Sequence, residues 1–491
     1  MRVHLIGVSG AGMAPLAGLL HDAGHEVEGS DASFDPPMGP LLPTWGVKTR
    51  EGLGDPELVV VGNVCRKDHP LVLEAEARGI RRISMPTALR ELVTRERPVV
   101  AVCGTHGKTT TTALLAHLLD GAGLEPGWLI GGVPLVPAGA RPFALGRAQR
   151  SLSAPTPFAP FVVEGDEYDS AFFEKVPKVW GYAPRIAILT SIEHDHVDIY
   201  PDEESYFAAF RGMIERLPDG GLLVANAADP LVVRVVGEAR TAARVVWYAA
   251  SDVAGRPFPS GKVHLDEPIV WTANEVGLRG DGDVLQPFDL FVGPSSAGRF
   301  GVGVFGAHNV ANALAAIAVT SEAFGLPVRE TATRASGFRG VKRRLEQHLD
   351  GRSGRGVVLY DDFAHHPTAV DATLRAVRAR HHRARIVAVY EPRSATACRA
   401  MHQAGYTTAF GPADVVVLPP LGRSTIPADE RLDLDRLERD LVAQGKQVVR
   451  AASVAEVPAA VGEVAEAGSV VVVMSNGAFG GVVNTLAGAL R

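Results

Sequence analysis

Short apolar runs, separated by glycine turns and by alanine- and leucine-rich stretches, set the rhythm of this chain. Arg2 to Gly7 predicts a strand, and Met13 to Ala23 a helix behind it. Val27 to Asp31 predicts a second strand, Leu58 to Asn63 (LVVVGN) another, and Leu71 to Arg78 a further helix. Apolar strands alternating with helices are the βαβ rhythm of a nucleotide-binding domain built on a buried parallel sheet.

The rhythm restarts twice. After the charged segment ELVTRER, Val99 to Cys103 predicts a new strand and a helix running to about Asp120. Buried-strand patterns follow at Phe161 to Asp169 and Ile186 to His196, and Gly306 to Thr320 leads into a helix. Residues 137–160, rich in Pro, Ala and Ser, predict a surface excursion, and 250–300 an antiparallel one. A third block begins near Leu326 to Phe338. It carries a strand in Val357 to Pro367, a helix through Arg380, and strands at Ile386–Tyr390, Val415–Leu418 and 470–475.

The predicted class is therefore α/β, with three domains over residues 1–98, 99–326 and 327–491. The first and third are Rossmann-like and the second is a P-loop ATPase-like domain, with ligand sites in the clefts between them. The length of 491 residues agrees, since it exceeds what one hydrophobic core supports.

Composition narrows the function by exclusion. With 49 basic and 55 acidic residues and a net charge of -6, nothing draws the chain to nucleic acid. Anionic ligands must then be met by backbone NH groups, a few cations or metal ions. Cys65, Cys103 and Cys398 are dispersed and lack CxxC spacing, which supports neither a disulfide framework nor a zinc site. The chain opens on a strand rather than a signal peptide, and no apolar run approaches a membrane span; a cytoplasmic protein is expected.

Two glycine-rich turns carry candidate chemistry. GVSGAGM (Gly7 to Met13) can place helix-terminal NH groups against a phosphate, or simply let strand and helix pack closely. Asp31, after a second strand, is placed to bind a ribose hydroxyl. GTHGKTT is the stronger signal, because it follows an apolar strand and precedes a helix. Gly104 and Gly107 let the backbone curl, Lys108 can span the β- and γ-phosphates, and Thr109 can offer its hydroxyl to Mg²⁺. Val102 stands where the usual P-loop has its first glycine.

Acidic and imidazole groups cluster at the next strand ends. VVEGDEYD brings Glu164, Asp166, Glu167 and Asp169 together; continued strand alternation would put Glu164 and Asp166 on one side and Glu167 opposite. Four such carboxylates either meet a cation or form a solvated loop. SIEHDHVD adds Glu193, His194, Asp195, His196 and Asp198, a mixed set for Mg²⁺ or Mn²⁺, or a structural His–Asp pair. HNVAN (His308 to Asn312) suits a purine ring or helix capping.

In their order along nearly the whole chain, these motifs resemble the Mur ligase family of ATP-dependent amide ligases in peptidoglycan synthesis and recycling. GVSGAGM, GSD, GTHGKTTT, VEGDEYD, IEHDHVD, GAHNVANALAA, GFRGVKRRLE and YDDFAHHPT carry the resemblance. It implies that Gly104, Thr105, His106, Gly107, Lys108, Thr109 and Thr110 hold ATP phosphates, with His308, Asn309, Asn312, Arg343 and Asp361 also at the nucleotide. Lys108, Glu164 and His196 would be catalytic, with Thr109, Glu164 and His196 as metal ligands. Gly10, Ala11, Gly12, Met13, Ser30 and Asp31 would face the sugar nucleotide UDP-N-acetylmuramate, and His365 and Arg393 the substrates from the third domain. The carbamylated lysine of other members has no counterpart: Phe210 stands nearest in YFAAFRG. The subgroup acting on the lactyl carboxylate also lacks it.

Within that subgroup, one class adds L-alanine and another the recycled tripeptide L-alanyl-γ-D-glutamyl-meso-diaminopimelate. SDASFDPPM, GNVCRKDHP, IGGVP, EPRSAT and MSNGAFGG resemble the tripeptide class. Two readings of other kinds compete. A nicotinamide-dependent dehydrogenase would leave the P-loop idle, and a binding module without turnover would leave Lys108, Thr109, Glu164 and His196 unused.

Overall fold

Three sheets centred on parallel strands are laid down in succession along the described residues, accompanied by a two-stranded antiparallel ribbon, Asp169–Ala171 with Glu174–Pro177. The structure is a computed structural model and describes all residues except 36–37, 137–139, 148–158, 198, 253–256, 259–267, 278–283, 353 and 424–425. In the first sheet the order is Lys48–Thr49, Glu26–Ser30, Arg2–Ile6, Leu58–Val61 and Arg81–Ser84, parallel throughout. Val3 pairs with Val27 on one side and Leu58 on the other. Helix Met13–Asp22 covers it, with Ala14, Leu16, Ala17, Leu19 and Leu20 buried.

The second sheet has a parallel centre ordered Trp271–Glu275, Arg244–Ser251, Leu222–Asn226, Ile186–Leu189, Val99–Cys103, Phe161–Gly165 and Gly127–Leu129. Its strands VVAVC and IAIL are buried at every position, because helices cover both faces. Gln286–Val292 and Ser295–Val302 extend one edge antiparallel, which agrees with the expectation for the described part of 250–300. The third sheet runs Glu346–Asp350, Val358–Asp362, Val470–Met474, Ile386–Tyr390, Val415–Leu418 and Gln447–Arg450, antiparallel only at its first pair.

Two expectations need correction. Residues 137–139 and 148–158 of the presumed surface excursion lie outside the described residues, but Phe143 between them is fully buried. Its ring packs edge-on to Trp45 at 5.0 Å and sits where a Cβ on Gly18 would come within 2.1 Å of it. Arg141 lies 4.5 Å over the same ring and donates to Asp22 at 2.6 Å. An aromatic side chain from the second block thus completes the core of the first. The expected hand-over at 327 also falls early. Ala332, Ala335, Phe338 and Val341 are buried in the central core, so packing passes to the third block only after Val341.

Among the described residues no helix is long and apolar enough to cross a membrane. The active groups gather at the carboxyl ends of the parallel strands, where open α/β sheets leave a crevice.

Candidate active site

The strand Val99–Cys103 runs through Gly104, Thr105, His106 and Gly107 into helix Lys108–Gly121. Gly104 (φ +126) and Gly107 (φ +83) need the freedom of glycine. A Cβ would lie 2.2 Å from Thr190 Oγ1 at Gly104 and 2.5 Å from Asn312 Oδ1 at Gly107. The neighbouring strand end braces this loop. Thr105 N donates to Ser191 O at 2.9 Å, His106 N to Ser191 Oγ at 3.0 Å, and Thr190 Oγ1 to His106 O at 2.6 Å. Gly107 supplies no side-chain cap, so the first-turn NH groups of a 14-residue helix remain for an anion.

Two carboxylates divide the site. Thr109 Oγ1 donates to Glu164 Oε1 at 2.8 Å, and Gly131 N to Glu164 Oε2 at 2.8 Å. Burial and the nearby Asp166 push the Glu164 carboxyl up. A carboxylate held up in this way, beside a hydroxyl, forms a hard-oxygen pair that a divalent cation would keep ionised, and the donor set fits Mg²⁺. Glu167 serves the positive groups. Its Oε2 lies 3.1 Å from Lys108 Nζ and its Oε1 3.3 Å from His196 Nε2. Burial pushes Glu167 up, but Lys108 and His196 hold it down at about 2. Burial alone would lower Lys108, yet Glu167, Asp166 and Glu164 keep its ammonium above its ordinary value. His196 follows the same logic: burial lowers it, and Glu167 with Asp195 raises it.

Around these groups a cavity of about 1180 Å³ touches all three blocks: Ala11 and Gly12 from the first, the phosphate loop from the second, and His365, Arg393 and Arg423 from the third. His308, Asn309 and Asn312 line it from the start of helix Ala307–Phe324, and that helix has no side-chain cap. The capping alternative for HNVAN is therefore not realised. Burial pushes the His308 imidazole down to about 4, aided by Arg344, and burial likewise lowers His365 to about 4.

Other expected residues sit elsewhere. Ser30 is buried, with its Oγ 3.0 Å from His4 Nε2. Asp31 accepts from Ser9 N at 2.8 Å and from Ala32 N at 2.7 Å, so it ties the first glycine turn rather than lining the cavity. Gly10 and Met13 also stay off the cavity that Ala11 and Gly12 line. Asp361 pairs with Arg343 at 3.4 Å, and burial raises it to about 6; its neighbour Asp362 is the one that lines the cavity. Arg343 does line it, and donates to Ser475 O at 2.6 Å and Gly477 O at 2.7 Å. Glu164 and His196 do not share a compact His/carboxylate group among the described residues, and His196 Nδ1 lies 2.9 Å from Tyr168 Oη. Asp198 lies outside the described residues. Phe210 is buried against Tyr206.

The sequence reading names Glu167 without giving it a role, and it passes over Arg344. The strand ends at Gly165, so alternation no longer predicts where Glu167 points. Arg344 donates to Thr109 Oγ1 at 3.2 Å, and only the run Lys342-Arg343-Arg344 hinted at it.

Three models of one protein family match this chain in order along its length. Residues 2–97 match the Mur ligase family catalytic domain, 102–320 the Mur ligase middle domain, and 343–477 the Mur ligase glutamate ligase domain. A UDP-N-acetylmuramate–L-alanyl-γ-D-glutamyl-meso-2,6-diaminoheptandioate ligase of Escherichia coli is 33% identical, covering 98% of this chain and 96% of its own. A UDP-N-acetylmuramate–L-alanine ligase of a Roseiflexus species is 36% identical over 85% of this chain and 84% of its own. The crystal structure of a murein peptide ligase from Psychrobacter arcticus superposes with a TM-score of 0.70 at 32% identity, covering 100% of this chain and 98% of that one.

Proposed function

The chain belongs to the Mur ligase family of ATP-dependent ligases, and within it we propose that it joins L-alanyl-γ-D-glutamyl-meso-diaminopimelate to UDP-N-acetylmuramate. The observation that carries the choice of acceptor is the third-block wall of the cavity. Arg393 and Arg423 line it, and among the described residues neither guanidinium has a carboxylate partner. Arg393 fills the space that Cβ atoms on Gly477 and Gly422 would take, at 1.9 and 3.0 Å. A tripeptide brings several carboxylates to such a wall; alanine brings one.

The phosphate loop and Lys108 would hold the phosphates of ATP, with His308, Asn309 and Asn312 near its base. Thr109 and Glu164 would hold Mg²⁺, which when bound neutralises charge on the transferring phosphoryl group. An oxygen of the lactyl carboxylate attacks the γ-phosphorus, ADP departs, and an acyl phosphate forms. The neutral amine of the peptide then attacks the acyl carbon and phosphate leaves. Lys108 and the loop NH groups stabilise developing negative charge, and the cleft keeps water from the acyl phosphate. Ala11 and Gly12 would face the sugar nucleotide.

The test is the mass of the product formed from UDP-N-acetylmuramate, ATP and Mg²⁺ with tripeptide and L-alanine offered together. Addition of the tripeptide supports the proposal, and addition of alanine alone overturns it. The second reading, L-alanine as acceptor, is favoured by the 36% identity to the Roseiflexus protein.

A further inference from the structure

One carboxylate spans the second and third blocks. Glu193 follows the strand Ile186–Leu189, and its Oε1 accepts from Thr368 Oγ1, at the start of helix Pro367–Arg380 of the third block, at 2.8 Å. Its Oε2 lies 2.8 Å from His106 Nε2, in the phosphate loop, and 3.4 Å from His366 Nδ1. The backbone amide of Glu193 donates to Thr105 Oγ1 at 2.9 Å. That hydroxyl is 3.0 Å from Tyr206 Oη, which donates to Glu167 Oε1 at 3.3 Å, and Glu167 holds Lys108. A hydrogen-bonded path therefore runs from the third block to the phosphate-loop lysine, and Glu193 is its junction.

We propose that Glu193 is a positioning residue that couples docking of the third block to the order of the phosphate loop. When Thr368 arrives, it fixes one oxygen of the carboxylate and leaves the other aimed at His106. His106 and Thr105 are then held in the loop geometry that presents the first-turn NH groups. Charge-assisted bonds of this kind are stronger than neutral ones, so this one contact can bias the docked arrangement measurably. The coupling rests on the ligase reading for its purpose, but the contact itself does not.

The experiment compares Thr368→Val, Thr368→Ser, Glu193→Ala and the double variant Glu193→Ala with Thr368→Val. Docking is followed in the ligand-free chain by energy transfer between dyes on cysteines introduced at the exposed positions Asp219 and Val442; Cys65, Cys103 and Cys398 are buried. Thr368→Val should shift the population to the undocked form and lower kcat about tenfold, as expected for one charged hydrogen bond, with the melting temperature unchanged. Thr368→Ser should restore both, and the double variant should be no worse than Glu193→Ala, because the two groups act as one contact. An undisturbed docking distribution in Thr368→Val, or losses that simply add in the double variant, would overturn the proposal. Absence of ligase turnover in the unaltered chain would count against the ligase reading alone, since the docking signal is read without substrates.

Discussion

Lys108 Nζ lies 3.1 Å from Glu167 Oε2, with the two side chains only 12% and 2% exposed. The lysine that would meet phosphate is thus held by an internal carboxylate, which also contacts His196. Removing one partner of such a pair strands a buried charge, whereas removing both does not.

Glu167→Gln should therefore cost about 3 kcal/mol of stability, read from the urea midpoint. Combining it with Lys108→Met should recover most of that stability without recovering phosphate release. A double variant as unstable as the single one would mean that the pair is not what holds this corner together.

The Thr109–Glu164 contact at 2.8 Å predicts a metal phenotype. Thr109→Val should raise the Mg²⁺ concentration for half-maximal phosphate release by about tenfold, the loss of one charge-assisted contact. Chelation should abolish release in the unaltered chain. An unchanged Mg²⁺ titration in the variant would place the cation elsewhere.

His308 supplies a pH prediction. Its imidazole is held near 4 when folded, against 6.5 unfolded, mainly by burial. Below the unfolded value the unfolded state binds the extra proton, so this contribution to stability is present at neutral pH and is lost as pH falls. Between about pH 7 and pH 5 the unaltered chain should lose about 2 kcal/mol more than His308→Gln. Equal losses of stability in the two chains, read from urea midpoints at the two pH values, would contradict the assignment.

Much of the fold was legible because its strands are buried on both faces. Val99–Cys103, Ile386–Tyr390 and Val415–Leu418 appear where uninterrupted apolar runs predict them. The phosphate loop was equally legible, since its glycines and lysine are local in sequence. What escaped depends on turns and on distant partners. Glu167 lies beyond the strand end at Gly165, so alternation does not predict its contact with Lys108, and Asp31 closes on Ser9 rather than on the cavity. Phe143 could not be recognised as core without the groove at Gly18 that receives it.

That groove gives a further prediction. Phe143→Ala should cost about 3–5 kcal/mol, the usual range for a buried phenylalanine. The first block should lose protection in hydrogen exchange before the third does, because the ring completes its core. Uniform exchange in the variant would show that the two cores are not joined through this side chain.

The central claim is tested most directly by ATP- and Mg²⁺-dependent phosphate release with UDP-N-acetylmuramate, offering L-alanyl-γ-D-glutamyl-meso-diaminopimelate and free L-alanine in parallel. The proposed function predicts rapid release with the tripeptide and little with alanine. Release with alanine alone would contradict it and assign the site to a single amino acid.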